Sequence, residues 1–110
     1  MQHRIVKDGP LLDELGILRE PGWATELKLQ YHRKDVKAPA IRRKEWDYYL
    51  VTNGRFGLAL TIADNGYMGL VSVSLLDFKE HWEQTTSPMV IMPMGKMKLP
   101  ETSASGDIYA

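Results

Sequence analysis

The sequence predicts a mainly β protein built as an antiparallel meander, and three observations carry that prediction. Apolar side chains recur with a period of two through much of residues 46 to 92, the spacing that half-buried strands require. The two sharpest interruptions, Asn53-Gly54 and Asp64-Asn65-Gly66, hold the residue types that tight hairpin turns select. Helix-compatible spacing is absent from that stretch, and aromatic and β-branched residues crowd it.

The elements follow in chain order. From His3 to Trp23 the turn signals Gly9-Pro10, Gly16 and Pro21-Gly22 sit too close together for a helix. A small hairpin or arm over residues 1–24 is expected, with Asp13-Glu14-Leu15-Gly16 as its tight connection and Gly16 at positive φ. Thr25 to His32 alternates Leu27, Leu29 and Tyr31 against Glu26, Lys28, Gln30 and His32, which predicts the first strand of a sheet over residues 25–92. Residues 33 to 45 are polar and basic and contain Pro39. They read as a long connection with one helical turn near Ile41 to Lys44.

Trp46 to Asn53 reads as the next strand, closed by a type I′ turn at Asn53-Gly54. Phe56 to Ala63 sets Phe56, Leu58, Leu60 and Ile62 on one face and Gly57, Ala59, Thr61 and Ala63 on the other. Tyr67 to Phe78 sets Val71, Val73 and Leu75 against Leu70, Ser72, Ser74 and Leu76. Phe78 to Glu83 is expected to be a connection, and Met89 to Met92 a last strand flanked by Pro88 and Pro93. Residues 93–110 read as an extended tail, and Gly106 to Ala110 as the start of a further strand that is cut short.

Composition narrows the function. The 110 residues fit one domain. Fourteen basic and fourteen acidic side chains cancel, so no nucleic-acid footprint is expected. Arg42-Arg43-Lys44 is followed at once by Glu45 and Asp47 and reads as a solvated loop. The absence of cysteine removes disulfides, thiolate metal sites and cysteine nucleophiles. His3, His32 and His81 are too far apart for a helical or finger-type metal site, so neither a metal nor a cofactor is expected. No apolar run reaches the roughly 20 residues of a membrane span, and no signal-peptide core opens the chain. A cytoplasmic location follows as the default expectation.

Chemistry is sparse. Gly54-x-x-Gly57 and Gly66-x-x-Gly69 lie at hairpin turns and not between a strand and a helix. Asp47, among aromatic residues, and Asp64, opening the second turn, are weak candidates for a catalytic acid. Their plain readings are a solvent-facing strand residue and a turn hydrogen-bond acceptor. Trp46, Tyr48, Phe56 and Tyr67 are the candidate ligand-binding residues, since aromatics in a β-barrel either fill the interior or line an apolar pocket. The small residues Gly57, Ala59, Ala63 and Gly69 leave room for a packed aromatic or for a ligand.

Four stretches carry a family resemblance: Pro21-Gly-Trp-Ala24, Lys44-Glu-Trp-Asp-Tyr-Tyr49, Gly57 through Gly69, and Leu99-Pro-Glu-Thr-Ser103. They resemble the N-terminal region of a bacterial family known as domain of unknown function 2804, whose members are longer. That family is similar in fold to the two-barrel, lipocalin-like group containing the carotenoid hydratase hydroxyneurosporene synthase. The resemblance implies a calycin-like barrel or half-barrel, truncated, and a role in binding an apolar or lipid-like small molecule. It also leaves open a lyase or hydratase fragment, and an assembly piece whose open sheet edge pairs with a missing half or a second copy. No catalytic residue of the hydratase maps onto a motif here.

Overall fold

A computed structural model describes residues 2–108 of the chain. They form two compact units, residues 2–38 with Pro100–Asp107, and Pro39–Leu99 with Ile108.

In the first unit, Asp13 draws the chain into the expected hairpin. Its Oδ1 accepts the N–H groups of Leu15 at 2.9 Å and Ile17 at 2.8 Å, and Gly16 takes φ +78°. Leu12 and Leu18 then bridge antiparallel. β1 (Gly9–Pro10) pairs in parallel with β2 (Leu29–Gln30). The strand expected over Thr25 to His32 is thus reduced to two residues and stands outside the main sheet. Alternation alone cannot hold a strand that lacks a neighbour along its length, and Leu27 is 70% exposed. The sheet expected from residue 25 begins at residue 45. Glu101 braces this unit, accepting the N–H of Arg33 at 2.6 Å and facing His32 Nδ1 at 3.3 Å.

The second unit is the meander. β3 (Glu45–Thr52), β4 (Phe56–Asp64), β5 (Met68–Asp77) and β6 (Trp82–Thr86) pair antiparallel in that order, and β7 (Met89–Ile91) also pairs with β5. β6 and β7 are one strand in register. Val73 faces Thr86 and Leu70 faces Met89, an unchanged offset that sets Ser72 opposite Ser87 and Val71 opposite Pro88. The Ser72 and Ser87 hydroxyls meet at 2.8 Å, and Val71 N–H donates to the Pro88 carbonyl at 3.1 Å. Pro88 has no N–H to return. Trp82 and Glu83, expected within the connection Phe78 to Glu83, are therefore part of the ladder, which runs on to Thr86. The last strand stops at Ile91 because Met92 turns to φ +53°.

Among the described residues no strand lies beyond β3 or beyond β6–β7, so the sheet is an open half-barrel. The start of a strand expected at Gly106 to Ala110 falls partly outside the described residues, and residues 106–108 are not strand.

The turns differ in chemistry. At Asn53 the side chain itself accepts the N–H groups of Arg55 at 2.8 Å and Phe56 at 2.7 Å. Neither Asn53 nor Gly54 has positive φ, so the expected type I′ turn is replaced by a side-chain-capped one. At the second turn Gly66 alone has φ +78°, at the first of two loop positions, where a type II′ hairpin places glycine. A Cβ on Gly66 would lie 2.5 Å from the Ala40 carbonyl oxygen, in the short 3₁₀ turn Ala40–Arg42.

At the third turn Asp77 Oδ1 accepts the N–H groups of Lys79 and Glu80, both at 3.0 Å, while Oδ2 takes Arg55 Nη2 at 3.0 Å and Nε at 3.2 Å. The Arg55 hydrogen bonds, helped by those from Glu80 and Lys79, hold the Asp77 carboxyl below its usual value against the opposing effect of burial. A carboxyl that binds its proton more weakly when folded contributes stability above its unfolded pKa and loses it as pH falls through the folded one. Urea melts across the acid range are expected to show that loss in the parent and a flatter slope in Asp77→Asn. Equal slopes would remove the Asp77 contribution.

Candidate functional site

Strand parity divides the side chains of the meander between two faces. The pairing places Asp47, Tyr49 and Val51 on the same face as Phe56, Leu58, Leu60, Ile62 and Asp64, and as Gly69, Val71, Val73, Leu75 and Asp77. Trp82, Gln84, Thr86, Pro88 and Val90 complete that face. The other face carries Trp46, Tyr48 and Leu50, the small residues of β4, and the hydroxyls of Ser72 and Ser74.

The first face holds an apolar track. Leu58, Leu60, Val73 and Leu75 run along its middle, each about two-fifths exposed. A hollow of about 220 Å³ lies at one end, against Val51, Phe56, Leu58 and Leu75. A cleft of about 360 Å³ lies at the other, lined by Val71, Val90, Ile91, Met92, Pro93, Lys96 and Met97. No large side chain in the described residues is fully buried, and Ala59, Ala63, Pro93 and Leu99 are the buried apolar side chains of this unit. Contiguous exposed apolar surface on a sheet marks a contact site for a protein, a membrane or a ligand, or an aggregation liability.

The cleft exists because residues 93–99, expected as the start of a tail, fold back over the sheet together with Met92. Gly95 N–H donates to Asp64 Oδ2 at 2.7 Å, and Met94 N–H to the Gly66 carbonyl at 3.0 Å. Met97 Cε and Pro93 Cγ approach the bare backbone of Gly69, where a Cβ would stand 2.7 Å and 3.1 Å from them. Met92, Met94 and Lys98 hold φ of 50° to 53°, a conformation costly for residues with a side chain.

The candidate residues therefore scatter. Phe56 lies on the track, at its far end beneath the Arg55 guanidinium, 4.8 Å from the ring centre. Trp46 and Tyr48 are on the opposite face, 64% and 56% exposed. Tyr67 is in the β4–β5 turn, with Lys44 Nζ 5.1 Å from its ring centre. These four do not meet in one cavity. Gly69, grouped with the small residues of β4, faces the track, whereas Gly57 faces the other way and is approached by Phe78.

Of the two candidate acids, Asp64 is 3% exposed and accepts the Gly66 N–H through Oδ1 at 3.0 Å and the Gly95 N–H through Oδ2. Asp47 shares the track face, and its Oδ2 is buried without a hydrogen-bond partner. Among the described residues no group of three or more acidic or histidine side chains is placed to hold a metal ion, and no helix is long and apolar enough to cross a membrane.

The residues missed beforehand are Leu58, Leu60, Val73, Leu75 and Lys96. Period-two alternation had already set the two leucines of β4 on one face. Weighting aromatic type above strand parity hid them. A sequence profile described as "Domain of unknown function (DUF2804)" matches residues 2–110. No curated protein and no solved structure matches.

Proposed function

The chain belongs to the DUF2804 family, and we propose that it binds an apolar, lipid-like small molecule along the track between the two hollows. The observation that carries this reading is the row Leu58, Leu60, Val73 and Leu75, exposed yet joined at both ends to concave apolar surface. Ligand sites are concave and mostly apolar with few polar groups. The resemblance to the lipocalin-like hydroxyneurosporene synthase group supports the same ligand class, as an analogy of fold.

Trp82 stands on the track face beside Asp77 and provides a reporter. Titration with long-chain alcohols, fatty acids and isoprenoids is expected to give a saturable change in tryptophan fluorescence. Val73→Glu, which puts a charge on an already exposed position, should weaken it about tenfold, the cost of roughly 1.4 kcal/mol. No saturable signal with any of these ligands would end the proposal.

A second reading is a lyase or hydratase step with Asp47 as the proton donor, favoured by its unpartnered Oδ2 on the same face. Asp47→Asn should then leave binding intact and stop conversion of a bound ligand. Conversion at the parent rate would exclude it.

A further inference from the structure

We propose that the cleft at Val71 and Val90 takes the anionic end of its ligand, so that the preferred molecule is a long-chain carboxylate with its head at Lys96 and its tail along the sheet. This deepens the track-binding reading and rests on it. The other side chains lining the cleft, Val71, Val90, Met92, Pro93 and Met97 among them, are apolar, and Lys96 is the charged one.

The charge is available. Lys96 is exposed and enters no ion pair found among the described residues. Its backbone N–H is already used, donating to the Pro93 carbonyl at 2.9 Å, so the turn holds the main chain that carries the side chain and leaves the ammonium to the ligand. Arg55, near the opposite end of the track, is committed to Asp77 by two hydrogen bonds and lies over Phe56. The two ends are therefore unlike. One holds a cation outside the ion pairs found, with the nearby Asp64 carboxylate already taken up by the Gly66 and Gly95 N–H groups, and the other is a neutralised pair beside an aromatic ring. An amphiphile is oriented by that difference.

The tail has a path. Val71, Val73 and Leu75 share one face of β5, and at about 3.3 Å per residue they span roughly 13 Å. Leu60 and Leu58 lie directly opposite Val73 and Leu75 on β4. The path ends in the hollow at Val51 and Phe56. The side chains of Met92 and Met97 line the head of the path and are pliant enough to close on a chain of variable shape.

Dodecanoate and dodecanol, each below its micelle concentration, separate charge recognition from simple apolar binding. With the full chain at low salt, dodecanoate is expected to bind three- to fivefold more tightly than dodecanol, the size of an exposed ion pair. Lys96→Met is expected to abolish that preference while dodecanol binding is kept, and added salt should shrink it. The Met92 and Met97 methyl resonances should shift with either ligand. Equal affinities in the parent, an undiminished preference in Lys96→Met, or methionine methyls that do not respond would overturn the carboxylate assignment while leaving track binding intact. Absence of binding by both ligands would overturn the assignment and the track together.

Discussion

Gly66→Ala is expected to cost roughly 3 kcal/mol or more of stability, the sum of a strained φ and a backbone collision. Gly66 stands at φ +78°, and the added methyl would sit 2.5 Å from the Ala40 carbonyl oxygen and 2.8 Å from that of Ile41. Neither obstacle is the movable end of a side chain. Relief would require the turn Ala40–Arg42 to shift away from the β4–β5 corner. Gly54 supplies the control within the same sheet. Its φ is not in the left-handed region, and a Cβ there meets nothing within 4 Å. Gly54→Ala should change stability by less than about 1 kcal/mol, in the stabilising direction, because it restricts the unfolded chain. Urea unfolding of the two variants side by side tests the contrast. Similar midpoints would mean that Gly66 is not under the strain described.

Asp64→Ala is expected to destabilise by about 2 kcal/mol through the loss of both acceptors at that corner. The Gly66 N–H is buried and has no alternative partner in water, whereas Gly95 is exposed and can turn to solvent. The penalty should fall mainly on the turn. The loss of the Gly95 contact should fall on the segment 92–99, since that bond ties it to the sheet across 31 positions of sequence. Hydrogen exchange is the fitting measurement. The amides of Met92 and Met94, which donate to Tyr67 and Gly66, should exchange faster in Asp64→Ala while the β3–β4 ladder holds. Uniform acceleration across the sheet would instead indicate a global role. Combined with Gly66→Ala the effect should be less than additive, because both changes act on one turn.

How far the fold could be read beforehand depended on which physics each segment used. The Asp-Asn-Gly corner was readable because its residue types meet a backbone demand there. Asn53-Gly54 marked a turn, yet its type depended on a competition that the Asn53 side chain won by taking two N–H groups itself. β6 was hidden because its five residues are all exposed. With no buried face there is no alternation, and only the Thr85 and Ser87 hydroxyls facing Ser74 and Ser72 mark the pairing. Thr25 to His32 shows the reverse case, alternation with a neighbouring strand over two residues alone. The site suffered most. The leucines of β4 were sorted to one face, but the cleft depends on residues 92–99 folding back, a contact between distant positions that no local pattern encodes.

The two borders of the sheet are not equivalent. From Glu45 to Thr52 the β3 border holds no proline or lysine but places the carboxylates of Glu45 and Asp47 near one end, and proline and charge are what discourage a foreign strand from docking. On the opposite border Pro88 turns its carbonyl, and with it its ring nitrogen, inward to Val71, so its missing hydrogen is lost to the ladder and not to the outer edge. Among the described residues both edges therefore carry a row of backbone N–H and C=O groups that no further strand takes up, left to water or to a strand from elsewhere.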